Sequence, residues 1–288
     1  MHQHENKVAA LDLILLLKKS KLPLVGKMTP PDTLLFGLPL AYSMTLGIVI
    51  GLVIGSYLAT TYARWPRSQR TSGATRSACD TCHRKLRWYE LVPVISWLTL
   101  RGRCLRCHAP IPGVYSAIEA LCAILGAATF AMGQPTLAPF VWMLVALAFF
   151  DARLLWLPNR LVAALALAAL LAPMPEPSVS LTWRLAAGVG AAAGLWLIAA
   201  SYRRWRGRNG LGGGDIKLLG AIGLWCGPMH LPAIVLLACG TGLADAAGRV
   251  ARGADARTLR LPLGTYLAGA TILLAVVKPI GVRVIEWA

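Results

Sequence analysis

The sequence is poor in charge and poorer still in acid. Only 14% of its 288 residues are Asp, Glu, Lys or Arg, and the acids number 12 against 29 bases. With 57% hydrophobic residues and a mean hydropathy of +0.61, that scarcity excludes an ordinary soluble surface. It also makes any carboxylate beside an apolar run conspicuous, because such groups are costly near hydrocarbon and are usually functional. There is no internal repeat and no low-complexity segment. The apolar core of the amino-terminal stretch "KVAALDLILLLKKSKLPLV" is too short to span a bilayer, carries lysines at both ends and shows no small-residue cleavage site, so it reads as an interfacial helix or leader arm.

What the sequence has in quantity is apolar runs near the length of roughly 20 residues that crosses a hydrocarbon core as helix. Candidate spans lie at about 34–62, 114–133, 136–150, 157–173, 181–202, 216–228, 230–248 and 262–281. The expectation is an all-α, polytopic membrane protein of about eight transmembrane helices. Its parts are an arm over 1–33, a first transmembrane helix over 34–62, a small cytoplasmic four-cysteine subdomain over 63–113 and a transmembrane domain over 114–288. The spans near 136, 157 and 216 are short for a crossing, which implies tilt, extension by loop residues or a partly re-entrant path.

The excess of 17 positive charges does not imply nucleic acid, because the bases lie in short blocks beside apolar runs, where they set orientation and meet anionic lipid. Residues 63–112 carry ten Lys or Arg, "RRWRGR" occupies 203–208, and Arg249, Arg252, Arg257 and Arg260 follow the seventh span. The alternate loops are almost chargeless apart from Glu176. The positive-inside rule turns the basic loops to the cytoplasm, against the weaker opposing pull of five lysines before the first span. Counting crossings then brings Asp151, in "FFDARLLWLPNR", and Asp215, in "NGLGGGDIKLLG", to the same cytoplasmic membrane surface.

Asp215 read alone is a helix cap behind a glycine bend. Read with Asp151, it is half of a pair able to hold one water, as in aspartic proteases. A helix amino terminus favours the anion and a carboxyl terminus the neutral acid, so helix ends alone suggest Asp215 as base and Asp151 as acid. Gly212, Gly213 and Gly214 form either a flexible loop end or a bare track on which a substrate backbone lies beside Asp215. Lys217 either tunes Asp215 or reaches for the interface, with the latter favoured.

Cys79, Cys82, Cys104 and Cys107 make two C-x-x-C pairs with 21 residues between them. Thiolates so spaced in a cytoplasmic loop suit a closed, structural tetrahedral zinc site. His83 and His108 each follow a pair and are alternative ligands or neighbours of the metal. Cys122, Cys226 and Cys239 lie in apolar runs as small packed residues.

Four blocks taken together, "GLVIGSYLATTYARWP", the cysteine loop with "LVPVISWLTLRGRC" and "IPGVYSAIEAL", "DARLLWLPN" and "GGGDIKLLGAIGLWCG", resemble the type IV prepilin peptidase family over about residues 48–230. The resemblance implies a bacterial inner-membrane aspartic protease, with Asp151 and Asp215 at the positions of the family's catalytic pair. It also implies cleavage of prepilins or pseudopilins after glycine at the cytoplasmic face, and N-methylation of the new terminus from S-adenosylmethionine. Zinc on the cysteine loop is a further implication. Glu119 matches a family acid, to be read as a ligand of substrate amine or cofactor, or as the partner of an arginine. The sequence departs from the family pattern at Ala59, Asp80 and Asn159, departures that bear more on methyl transfer than on proteolysis. Rival readings are a proton- or metal-coupled transporter using the paired aspartates, and a zinc-bearing assembly factor without catalysis.

Overall fold

The computed structural model describes residues 33–35, 38–64, 78–79, 81–175, 178–207, 210–255 and 259–286. The arm over 1–33 lies outside these residues except for its last. The described chain opens with a short antiparallel hairpin, β1 (Thr33–Leu35) with β2 (Leu38–Pro39), so the first membrane helix begins later than the apolar run suggests. That helix is α1, Leu40–Arg64. The cysteine subdomain follows, with a 3-10 turn at Trp88–Leu91 and a short helix α2, Ile95–Thr99. The remaining helices are α3 (Val114–Ala131), α4 (Ala138–Leu154), α5 (Asn159–Leu171), α6 (Leu181–Arg206), α7 (Gly213–Ala251) and α8 (Leu263–Glu286).

Helix α7 is 39 residues long. Straight, it would measure about 58 Å at 1.5 Å per residue, far more than a hydrocarbon core of about 30 Å. It is not straight. Gly227 leaves helical geometry at φ 66°, ψ −175°, and Pro228 follows. Asp215 near its start lies beside Gly264, while Asp245 near its end accepts a hydrogen bond of 2.6 Å from Tyr266, two residues away in the first turns of α8. Both feet therefore stand at one end of the bundle, and the chain folds back at Gly227 into α7a (213–226) and α7b (228–251). Counted so, eight helices of 13 residues or more stand among the described residues.

The fold-back leaves a backbone debt, and one buried side chain settles it. Proline has no N–H, so Pro228 cannot bond the Leu224 carbonyl and Pro173 cannot bond that of Ala169. Arg184 of α6 donates from Nε to Leu224 O at 3.0 Å and from Nη2 to Ala169 O at 2.6 Å. Trp225 adds a bond from Nε1 to Pro173 O at 2.9 Å and stacks on Phe140 of α4, ring centres 4.8 Å apart. The Ala169, Pro173 and Leu224 carbonyls are thus satisfied within the protein.

Helices α1 and α3 meet backbone to backbone. A Cβ on Gly47, Gly51 or Gly126 would collide with main-chain atoms of the facing helix, so the 47–51–55 glycine stripe is what allows the approach. At the far end of α1, Tyr62 packs edge-on against Phe150 at 5.5 Å and lies under the Arg153 guanidinium at 5.3 Å. The end of α1 that leads into the cysteine subdomain is therefore the end at which α4 delivers Asp151.

Candidate active site and metal centre

Asp151 occupies the last turn of α4 and is buried; Asp215 occupies the first turn of α7a. They converge on the start of α8. A Cβ built on Gly264 would stand 3.0 Å from Asp151 Oδ2 and 3.1 Å from Asp215 Oδ1, so these oxygens can be no farther apart than those two lengths laid end to end. The Thr265 N–H donates to Asp151 Oδ2 at 2.8 Å. Its hydroxyl lies 3.2 Å from the same oxygen and 3.0 Å from the Ala148 carbonyl, and its single proton is shared between them. Asp215 differs: its Oδ1 is buried and has no hydrogen-bond partner among the described residues. A buried carboxylate oxygen without a partner is rare and calls for a water, a proton or a ligand.

The three glycines before Asp215 do different work. A Cβ on Gly214 would press on Leu157 at 2.9 Å, so that glycine lets the "LPN" turn pack against α7a. A Cβ on Gly212 would meet Asp215 Oδ2 at 3.2 Å. Gly213 faces open space within 4 Å and is the one whose bareness no neighbour explains. Lys217 is neither directed at Asp215 nor simply extended to the interface. Its Nζ donates to Asn159 Oδ1 at 2.9 Å, tying α7a to the start of α5 at the position where the resemblance leads one to expect aspartate.

Glu119, buried in α3, has no arginine partner among the described residues. Its Oε2 accepts the Val94 N–H at 2.8 Å, and its carboxylate also engages the Ser56 side chain of α1. Val94 is a β-branched residue at φ 59°, a conformation that costs of order 1–3 kcal/mol. Glu119 thereby fastens the cysteine subdomain to the membrane helices.

The four cysteine sulfurs lie within 4.8 Å of one another, with Cys79 and Cys107 at 3.7 Å. Around a tetrahedral zinc with bonds of about 2.3 Å, sulfurs stand about 3.8 Å apart, so the residues present fit that metal. Each C-x-x-C pair is a tight knuckle, closed by His83 N–H to Cys79 O and His108 N–H to Cys104 O, both at 2.9 Å. The bridges Ala78–Lys85 and Arg103–Pro110 flank them. His83 and His108 sit at φ 54° and 55°, turning the chain, and the cluster of possible ligand atoms contains the cysteines alone. Backbone N–H groups of Cys107 and Arg106 bring the Cys104 thiol down to about 6, and those of Cys82 and Thr81 lower Cys79. Beside the knuckles, Glu90 is buried, yet the Arg87 N–H and the Arg84 guanidinium hold its carboxyl below the usual range.

Sequence reasoning did not single out Gly264 and Thr265. Their only signals were a bare residue and a hydroxyl after Pro262, at the start of a span whose parity brings it to the end carrying both aspartates.

The family described as Bacterial Peptidase A24 N-terminal domain matches residues 49–132, and the Type IV leader peptidase family matches residues 138–246. Among curated proteins, the prepilin leader peptidase/N-methyltransferase of Aeromonas hydrophila is 38% identical over 201 residues, covering 67% of this chain and 68% of that protein. That of Burkholderia pseudomallei (strain 1026b) is 35% identical over 263 residues, covering 80% and 84%. That of Neisseria gonorrhoeae is 29% identical over 244 residues, covering 74% and 84%. No solved structure matches.

Proposed function

The chain belongs to the type IV leader peptidase family, as a multi-pass inner-membrane protein, and from that footing we propose that it cuts prepilins or pseudopilins after glycine at the cytoplasmic face. The observation that carries the reading is the convergence of Asp151 and Asp215 on bare Gly264, with one Asp215 oxygen left unpartnered. A water held between the two loses a proton to one carboxylate as its oxygen bonds to the scissile carbonyl carbon. The other carboxyl gives its proton to the carbonyl oxygen. Collapse of the tetrahedral adduct breaks the C–N bond; the amide nitrogen takes the proton held by the first carboxyl, and the second recovers its own.

Helix ends alone assigned Asp215 the base, but the local hydrogen bonds favour Asp151. A hydrogen bond to a charged group contributes about 1.5–3 kcal/mol, and the Thr265 N–H gives Asp151 one at 2.8 Å. A helix terminus contributes about 0.3–1 kcal/mol. Asp215 also faces the Gly212 and Gly264 N–H groups, so the two carboxylates share one proton, which the unpartnered Oδ1 of Asp215 is placed to hold.

The basic loops on this side complement anionic lipid. The substrate comes in laterally as a helix, and a glycine at its junction eases the unwinding that cleavage needs. Zinc would be held by Cys79, Cys82, Cys104 and Cys107, with all four positions filled and therefore a structural task. N-methylation follows in this reading because the relatives carry that name; S-adenosylmethionine supplies an electrophilic methyl group to the freed amine. Glu119 accepts the Val94 N–H on Oε2 alone, and its remaining acceptor capacity suits the substrate amine or the methyl donor.

The test is incubation of the purified protein with a pilin-like precursor, followed by amino-terminal sequencing and mass measurement. Cleavage after glycine is expected, with a gain of about 14 mass units when the methyl donor is added. Asp151→Asn and Asp215→Asn should each abolish cleavage; cleavage undiminished in either variant overturns the peptidase reading.

A further inference from the structure

Helix α8 begins beyond the residues that either family match covers, yet its first turn touches both carboxylates. Gly264 is not demanded by backbone conformation, for it is absent from the residues of positive φ. Nor is it demanded by packing of the ordinary kind. The three atoms nearest its missing Cβ are Asp151 Oδ2, Asp151 Cγ and Asp215 Oδ1, whereas the Cβ of Gly214 would meet only the aliphatic Leu157. What requires glycine at 264 is the carboxylate pair itself.

The distances say why. A water hydrogen-bonded to both carboxylates stands about 2.5–3.2 Å from an oxygen of each. An alanine methyl at 264 would stand 3.0 Å from one of these oxygens and 3.1 Å from the other, tighter than ordinary contact on both, and would push aside the carboxylates that must hold that water. Thr265 then holds Asp151 from the same turn, by N–H and hydroxyl on one oxygen. From the opposite side Tyr266 anchors the turn: its hydroxyl donates to Asp245 of α7b at 2.6 Å, and its ring lies 3.0 Å from the position of a Cβ on Gly242.

We propose that the first turn of α8 is the third wall of the active site: Gly264 lets that turn lie against both carboxylates without pressing them away from the water they share, and Thr265 is a positioning residue for Asp151. This rests on the peptidase reading above. It places part of the machinery on an element that contributes no acid, and it makes the start of the last helix as intolerant of change as the aspartate motifs.

The test uses the full-length protein in proteoliposomes and a pilin-like precursor with glycine at its junction, reading kcat and KM separately. Retention of fold is read from the melting temperature and zinc content of each variant. Gly264→Ala should lower kcat about a hundredfold at similar KM, the scale on which displacement of reacting groups acts. Thr265→Val keeps the shape and the N–H but loses the hydroxyl, and should lower kcat about tenfold, the rate equivalent of one hydrogen bond; Thr265→Ser should restore most of it. If Gly264→Ala proves unfolded, the Thr265 pair decides. Wild-type kcat in folded Gly264→Ala, or equal kcat in Thr265→Val and Thr265→Ser, overturns the third wall while Asp151→Asn remains dead. An active Asp151→Asn overturns both this inference and the reading beneath it.

Discussion

At the scale of the residue, one stretch of glycines turns out to hold three different constraints. Gly214 is a packing glycine, and Gly214→Ala should cost about 1–3 kcal/mol as its methyl meets Leu157, visible as a lower melting temperature. Gly213 faces open space, so Gly213→Val should change stability by only about 0.5 kcal/mol. If a substrate backbone lies along that track, the same variant raises KM, measured on precursor cleavage, and an unchanged KM would show the track to be bare for no substrate's sake. Sequence alone left these readings even, because the reason for a glycine lies in what approaches it. Lys217 makes the same point, since its amide partner is 58 residues away.

At the scale of the element, much was legible. The apolar runs at about 216–228 and 230–248 read as two crossings, and Gly227 with Pro228 supplies the break where hydrogen bonding alone gives one helix of 39 residues. The cysteine spacing announced its knuckles equally clearly. Arg184 was invisible by comparison, because its task depends on which carbonyls Pro173 and Pro228 leave unbonded, and that is known only once α5, α6 and α7a are assembled. Arg184→Leu should destabilise the protein by about 3 kcal/mol, leaving two buried carbonyls without donors, and the loss is read by thermal unfolding in detergent. The α1–α3 contact behaves similarly: Gly51→Leu forces the helices apart and should lower the melting temperature even though the residue lies far from the aspartates.

At the scale of the whole molecule, Tyr62, Phe150, Arg153 and the Glu119–Val94 bond join the cysteine subdomain to the end of the bundle where the aspartates meet. Stripping zinc with a chelator, or Cys82→Ser, should therefore unfold the subdomain and depress cleavage through lost order rather than lost chemistry. Circular dichroism and the melting curve check the first, and partial recovery of cleavage on adding zinc back checks the second.

Two of the membrane helices closest to the chemistry are short. Helix α5 has 13 residues and α7a 14, lengths of about 20 Å against a hydrocarbon core of about 30 Å. Helix α7a is buried among its neighbours, whereas α5 exposes Leu167 and Leu171, so a lipid bilayer wetting α5 pinches inward to meet it, drawing head groups and their hydration toward the carboxylates. The enzyme thus deforms its own solvent, and lipids with longer acyl chains, which resist that dimple, should slow it.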